Sequence, residues 1–166
     1  MIGSTARRRA TAFGGALFLV AASLSAPGSA PAQPGGAGAS VVKQLEFGTL
    51  LPGMPEVITV NDVLRRAEVV VGGQGAVDVR LILPTEMVSS TGARVPLFFG
   101  TTDAAWSQGP SNTPTPFNPH EVKRVILAPG RPDVRIYLGG TARVPADQLP
   151  GPYTATVTVL VVRPNA

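Results

Sequence analysis

The segment Tyr153–Val162 (YTATVTVLVV) puts Tyr153, Ala155, Val157, Val159 and Val161 on one side of an extended chain, with Thr154, Thr156 and Thr158 on the other. A period of two does not line one stripe of a helix. It describes an antiparallel strand with one face on a core and one in water. Ala76–Leu83 repeats the pattern, with Val77, Val79, Leu81 and Leu83 opposite Asp78 and Arg80. Further strand-like runs occupy Lys43–Gly48, Glu56–Val60, Ala67–Val71, Arg94–Phe99, Glu121–Leu127 and Asp133–Leu138. Between them stand LLPGMP, GGQG, SSTGA, APGRP and VPADQLPGP, all built from residues that set turns. With 19 Gly and 17 Pro among 166 residues, long helices have little room. The pattern predicts an all-β chain: an immunoglobulin-like antiparallel β-sandwich of Greek-key type.

The front of the chain has a different character. Arg7, Arg8 and Arg9 precede an apolar run, Ala12–Leu24, which ends in SAPAQ. Charge, apolar segment and small-residue site in that order predict a signal peptide over residues 1–32, cut after Ala32. The run is shorter than the roughly 20 apolar residues of a membrane span, so no stable span is expected after cleavage. The flanking residues fit a twin-arginine signal poorly, which favours the general export route. Export to the periplasm, cell surface or extracellular space is the expected destination.

Removing three arginines from 14 basic residues leaves 11 against 10 acidic ones, a net charge of +1. The sequence pI near 10.3 therefore belongs mostly to the leader. Without a basic stripe interleaved with aromatics, nucleic-acid binding has no physical support. The chain contains no cysteine, so packing and backbone pairing must stabilise it even in an oxidising compartment. Residues 33–42 read as a flexible lead-in and 43–166 as a single sandwich domain, long enough to bury a core unaided.

Gly100–His120 departs from the short-loop pattern, with four prolines and the only tryptophan. Connections of this length without structure are uncommon in compact domains. Trp106 and Phe117 are candidates for an aromatic contact patch there, or for rings tucked beneath the loop to hold it down.

No catalytic constellation emerges. His120 is the only histidine, and zinc seldom accepts carboxylates alone. No Gly-x-Ser-x-Gly elbow accompanies it, so it reads as an exposed loop histidine. Paired carboxylates for sugar hydrolysis depend on spacing in three dimensions and stay open at this level. The GGQG stretch precedes no helix and reads as a hairpin turn, not a phosphate cradle. The expectation is a non-enzymatic protein without cofactor or metal.

LEFGTLLPG (Leu45–Gly53), Gly72–Gly73, LILP (Leu81–Pro84) and YLGGTARVPADQLPGPYTATVTV occur in an order that resembles the exported bacterial family known as domain of unknown function 4402. That family is itself similar to spore-coat-U-like and fimbrial-subunit β-sandwich proteins. The resemblance covers roughly Lys43–Val162 and departs from the family in Gly100–His120. It implies structural roles for Phe47, Gly48, Gly53, Gly139, Gly140, Gly151 and Tyr153. It also implies a surface or pilus-like structural or adhesive protein that assembles with itself or another surface protein. The alternative is a small secreted carbohydrate- or ligand-binding or hydrolytic module using the 100–120 loop. Tyr153, at the head of the last strand, is expected to act as a corner tyrosine whose hydroxyl bonds nearby backbone. Fimbrial sandwiches borrow a missing strand from a neighbour. Here the N-terminal segment is too poor in large apolar residues to donate one, and Lys43–Gly48 is expected to complete the fold from within.

Overall fold

The computed structural model describes residues 17–22, 37–110, 112–131 and 133–164, with residues 17–22 described as backbone only. The leader reading for 1–16 and 23–32, and the lead-in for 33–36, lie outside them. The described residues form an all-β sandwich of two sheets, not closed into a barrel and without helices.

One sheet has five antiparallel strands. In spatial order these are β10 (Thr115–Phe117), β9 (Ala104–Gln108), β12 (Val134–Leu138), β5 (Ala67–Gly72) and β2 (Gly38–Lys43). The other sheet is built around β14 (Tyr153–Val162), which pairs with β6 (Gly75–Ile82) and β7 (Glu86–Ser89). β11 (Lys123–Leu127) lies beside β6, while β8 (Arg94–Phe98), β13 (Gly140–Arg143) and β4 (Pro55–Ile58) continue from β7. Two further strands, β1 (Leu17–Ala22) and β3 (Leu45–Thr49), attach to β14 through β1.

Alternation sets which residues are buried. Val77, Val79 and Leu81 point from β6 into the same core as Ala67, Val69 and Val71 of β5. On β14, Tyr153, Val157 and Val159 are buried while Thr154 and Thr156 face solvent. Each large aliphatic side chain removed from water contributes about 1.5–3 kcal/mol, so the inner faces supply most of the driving force. A void of about 10 Å³ lined by Leu45, Val69, Ile136 and Val157 lies between the sheets.

Several elements differ from the sequence expectation. Lys43–Gly48 is not one strand: the chain changes sheet at Gln44, with β2 on one side and β3 on the other. Residues 38–42, read as lead-in, belong to β2, which pairs with β5 through Ala39↔Val71 and Val41↔Val69. Ala37, Ala39 and Val41 alternate inward, a pattern hidden by small side chains in a Gly/Ser-rich context. The 100–120 segment is a hairpin of β9 and β10, not a structureless loop. Pro116 is compatible with β10 because an edge strand leaves one row of N–H groups unpaired. β7 and β13 are too short for alternation to reveal them.

The corners carry the glycine and tyrosine positions. Leu51–Met54 closes a turn through Met54 N–H to Leu51 O at 3.1 Å, with Pro52 second and Gly53 third at φ +78°. That is the type II arrangement, which needs a residue free to adopt positive φ. At the other corner, Tyr153 is fully buried and its hydroxyl donates to Leu149 O at 2.6 Å. The Gln148 side-chain amide donates to the same hydroxyl. The corner-tyrosine expectation is met. Tyr153→Phe should lower stability by about 1 kcal/mol, read from the urea midpoint; an unchanged midpoint would show that these bonds add nothing net.

Candidate functional site

Trp106 and Phe117 sit on adjacent strands of the β9–β10 hairpin, with Trp106 opposite Thr115 and Phe117 opposite Ala104. Two-residue spacing along each strand turns both rings to the same face, where they are half-buried against the core. The Lys123 ammonium covers the indole at 4.8 Å from the ring centroid. The indole N–H is buried without a hydrogen-bond partner. The structure thus brings the two aromatics onto one face, but it does not display Trp106 as an open flat platform.

His120 borders an open groove of about 580 Å³ between the β6–β7 junction and the end of β8. Its Nε2–H donates to Phe99 O at 2.7 Å, and its backbone N–H is held by Asn118 Oδ1 at 3.1 Å. The groove also presents Arg80, Ile82, Pro84, Thr85 and Phe98. Such a lining can hold an apolar group beside a cation and a hydroxyl. It offers no nucleophile–base pair, since the imidazole nitrogen nearest the backbone is already engaged there. Among the described residues no cluster of His, Asp and Glu is arranged to hold a metal.

Seven of the carboxylates have hydrogen-bonding partners. Glu56 and Asp62 both engage Arg65, Glu68 engages Arg135, Glu86 engages Arg94, and Asp78 engages Arg124 through two bonds of 2.8 and 3.0 Å. Side-chain hydrogen bonding from Arg124 holds the Asp78 carboxyl below its ordinary range, and Arg65 does the same to Asp62. Asp103 accepts from Gly100 N–H at 2.7 Å, and Glu121 accepts from Asn118 at 2.9 Å. A glycosidase acid needs a raised pKa, and Asp78 and Asp62 are held in the opposite direction.

Beside the groove, an outward row runs across three strands: Val57 on β4, Thr141 on β13 and Phe98 on β8. Val57 is 53% exposed, Phe98 45% and nearby Ile82 49%. The Arg143 guanidinium lies 4.3 Å from the Phe98 ring centroid. Leu51 and Met54, in the turn before β4, are exposed as well. These residues form an apolar area on the larger sheet, whose strands also expose Ile126, Val162 and Val88, and sequence inspection did not single it out. Its signal was available, because Val57, Ile82 and Phe98 occupy the wrong phase of otherwise alternating strands.

A second group missed in the sequence covers the outer face of the smaller sheet. Arg66 is 9% exposed, stacks 3.8 Å from the Tyr137 centroid and donates to Val60 O at 2.6 Å. Ser107 donates to Gly109 O at 2.7 Å, leaving its oxygen to accept from Tyr137 at 3.2 Å. The chain of contacts pins β5, β9 and β12 together.

Comparison with protein-family models, curated proteins and solved structures finds no match for this chain.

The remaining site is a backbone site. β1 lies between β14 and β3, parallel to β14 from Leu19↔Thr154 to Ala22↔Val157. It is antiparallel to β3 from Leu17↔Thr49 to Val20↔Leu45, with a register shift between Phe18 and Leu19. β3 pairs with no strand other than β1 among the described residues. Lys43–Gly48 thus pairs within its own chain, as expected, but in two sheets: Lys43 lies against β5 and Leu45–Gly48 against β1, and the strand beside β14 is Leu17–Ala22.

Proposed function

We propose that this chain is an exported, non-enzymatic β-sandwich that serves as a structural or adhesive module at the bacterial cell surface. The apolar row of Val57 and Phe98, with Ile82, on the outer face of the larger sheet carries the reading. Contiguous exposed apolar surface rimmed by polar groups marks a surface built for contact with another protein. Arg80 and Arg143 form part of that rim. The signal-like leader and the resemblance to exported sandwich proteins support the same conclusion, as does the structural engagement of His120 and of the carboxylates. A ligand-binding role for the hairpin draws less support, since Trp106 is packed against the core and capped by Lys123.

The test combines location and contact. An antibody to the sandwich should label intact cells, and the Val57→Ser/Phe98→Ser double variant should be exported but lose at least about tenfold of its surface-retained amount. Exposed substitutions of this kind usually change stability by within about 0.5 kcal/mol, so loss of retention would not reflect unfolding. Protein confined to the cytosol would overturn the reading.

A further inference from the structure

The groove beside His120 follows from the topology. β6 and β7 pair with opposite edges of β14, so Leu83–Thr85 must carry the chain from one edge to the other. Pro84 stands in that crossing and has no N–H to give a ladder. Between the crossing and the end of β8 lies the open volume of about 580 Å³. Small-molecule sites occupy about 300–1,000 Å³, so the groove is large enough for one. Its walls are apolar: Ile82 and Phe98 are exposed there, while Leu83 and Phe99 are half-buried. The polar groups are the Thr85 hydroxyl, the Arg80 guanidinium and the His120 ring, whose Nε2–H is engaged by Phe99 O. Among the described residues no carboxylate lines it.

Arg80 sets the charge of what fits. The strands of the larger sheet carry Arg80, Arg94, Arg124 and Arg143. Arg94 pairs with Glu86, Arg124 pairs with Asp78, and Arg143 stacks on Phe98. The Arg80 side chain has no ion pair, hydrogen bond or ring contact among the described residues. Asp78, two residues away on the same face of β6, is already held by both of its oxygens to Arg124. An unmatched cation thus stands at the edge of an apolar groove.

We propose that this groove binds a free amphipathic carboxylate, with its hydrocarbon chain against Ile82, Leu83 and Phe98 and its carboxylate on Arg80. A guanidinium matches a planar carboxylate through two parallel N–H···O bonds, which a single Arg can supply in full. A sugar needs more hydrogen-bonding groups than Thr85 and Arg80 offer. A cationic amphiphile would meet Arg80 with no acid to hold it. Binding of this kind is separate from contact with another surface protein, and it is read on purified protein wherever the chain is located in the cell.

The experiment is an NMR chemical-shift titration of the purified full-length chain with octanoate, butyrate, octanol and octylammonium. Octanoate should shift the amides of Arg80–Thr85 and Leu97–Phe99 and reach saturation. It should bind at least about tenfold more tightly than butyrate, because each further buried methylene adds affinity. It should also bind at least about tenfold more tightly than octanol or octylammonium, which share the chain but not the carboxylate. Arg80→Gln should bring octanoate down to the level of octanol, while Phe98→Ser should weaken octanoate and octanol alike. Arg131→Gln is the charge control. It lies in the turn after β11, near Gly75 at the other end of β6, and should leave octanoate binding unchanged. Shifts that never saturate, or that fall outside the groove, would overturn the proposal. So would equal binding of octanol or octylammonium, or an Arg80→Gln variant that binds octanoate as the parent does.

Discussion

Phe47→Ala should cost about 4 kcal/mol, the largest effect expected from a single truncation in β3. Phe47 is 1% exposed and belongs to the core cluster with Leu45, Val69 and Val157. Truncation removes the transfer free energy of the ring and leaves a cavity that the surrounding strands fill only partly. The location adds to the consequence. β3 has β1 as its one strand partner among the described residues, so side-chain burial is its main tie to the rest of the sandwich. Urea unfolding of the full-length chain measures the loss. A change below about 1 kcal/mol would mean that β3 is not docked on the core in solution.

Gly139→Ala should cost about 3 kcal/mol, at the upper end for an added methyl in a packed site. Gly139 lies where the chain leaves β12 in the smaller sheet and enters β13 in the larger one. A Cβ there would stand 2.2 Å from the Ile58 carbonyl oxygen. That atom is backbone and belongs to β4, which pairs with β13 through Gly140↔Ile58, so relief requires moving a strand. Gly140 is tight as well, its Cβ position lying 2.9 Å from the Phe99 ring, but a side chain can shift more readily. Gly38→Ala is the control, since nothing lies within 4 Å of its Cβ position and it should be nearly neutral. Equal midpoints for Gly139→Ala and Gly38→Ala would show that the corner yields without cost.

Much of this was legible in the residues because sheets impose a period of two. Ala76–Leu83 and Tyr153–Val162 announced both their strands and their buried faces, and β6 and β14 bury the phase expected. Local turn chemistry was equally readable: Pro52-Gly53 and the Tyr153 corner each follow from a few neighbouring residues. Strands without a strong period escaped. β2 turns Ala39 and Val41, both half-buried, toward the core behind a Gly/Ser composition, and β9–β10 holds a hairpin among prolines. Their stability comes from the edge of an existing sheet, which supplies hydrogen bonds regardless of propensity.

The amino-acid order alone determined the class of fold, the inward face of the strongest strands, the lack of cysteine and the leader-like character of the first 32 residues. Those properties depend on neighbours in the chain. Tertiary structure decided which strands meet: that the chain changes sheets at Gln44 and Gly139, that Val57, Thr141 and Phe98 form one outward row, and that each of five carboxylates finds an arginine. It also decided that Leu17–Ala22 lies beside β14. Pairing between distant strands uses backbone groups that every residue carries, so side-chain pattern can specify that a segment is a strand without specifying its neighbour.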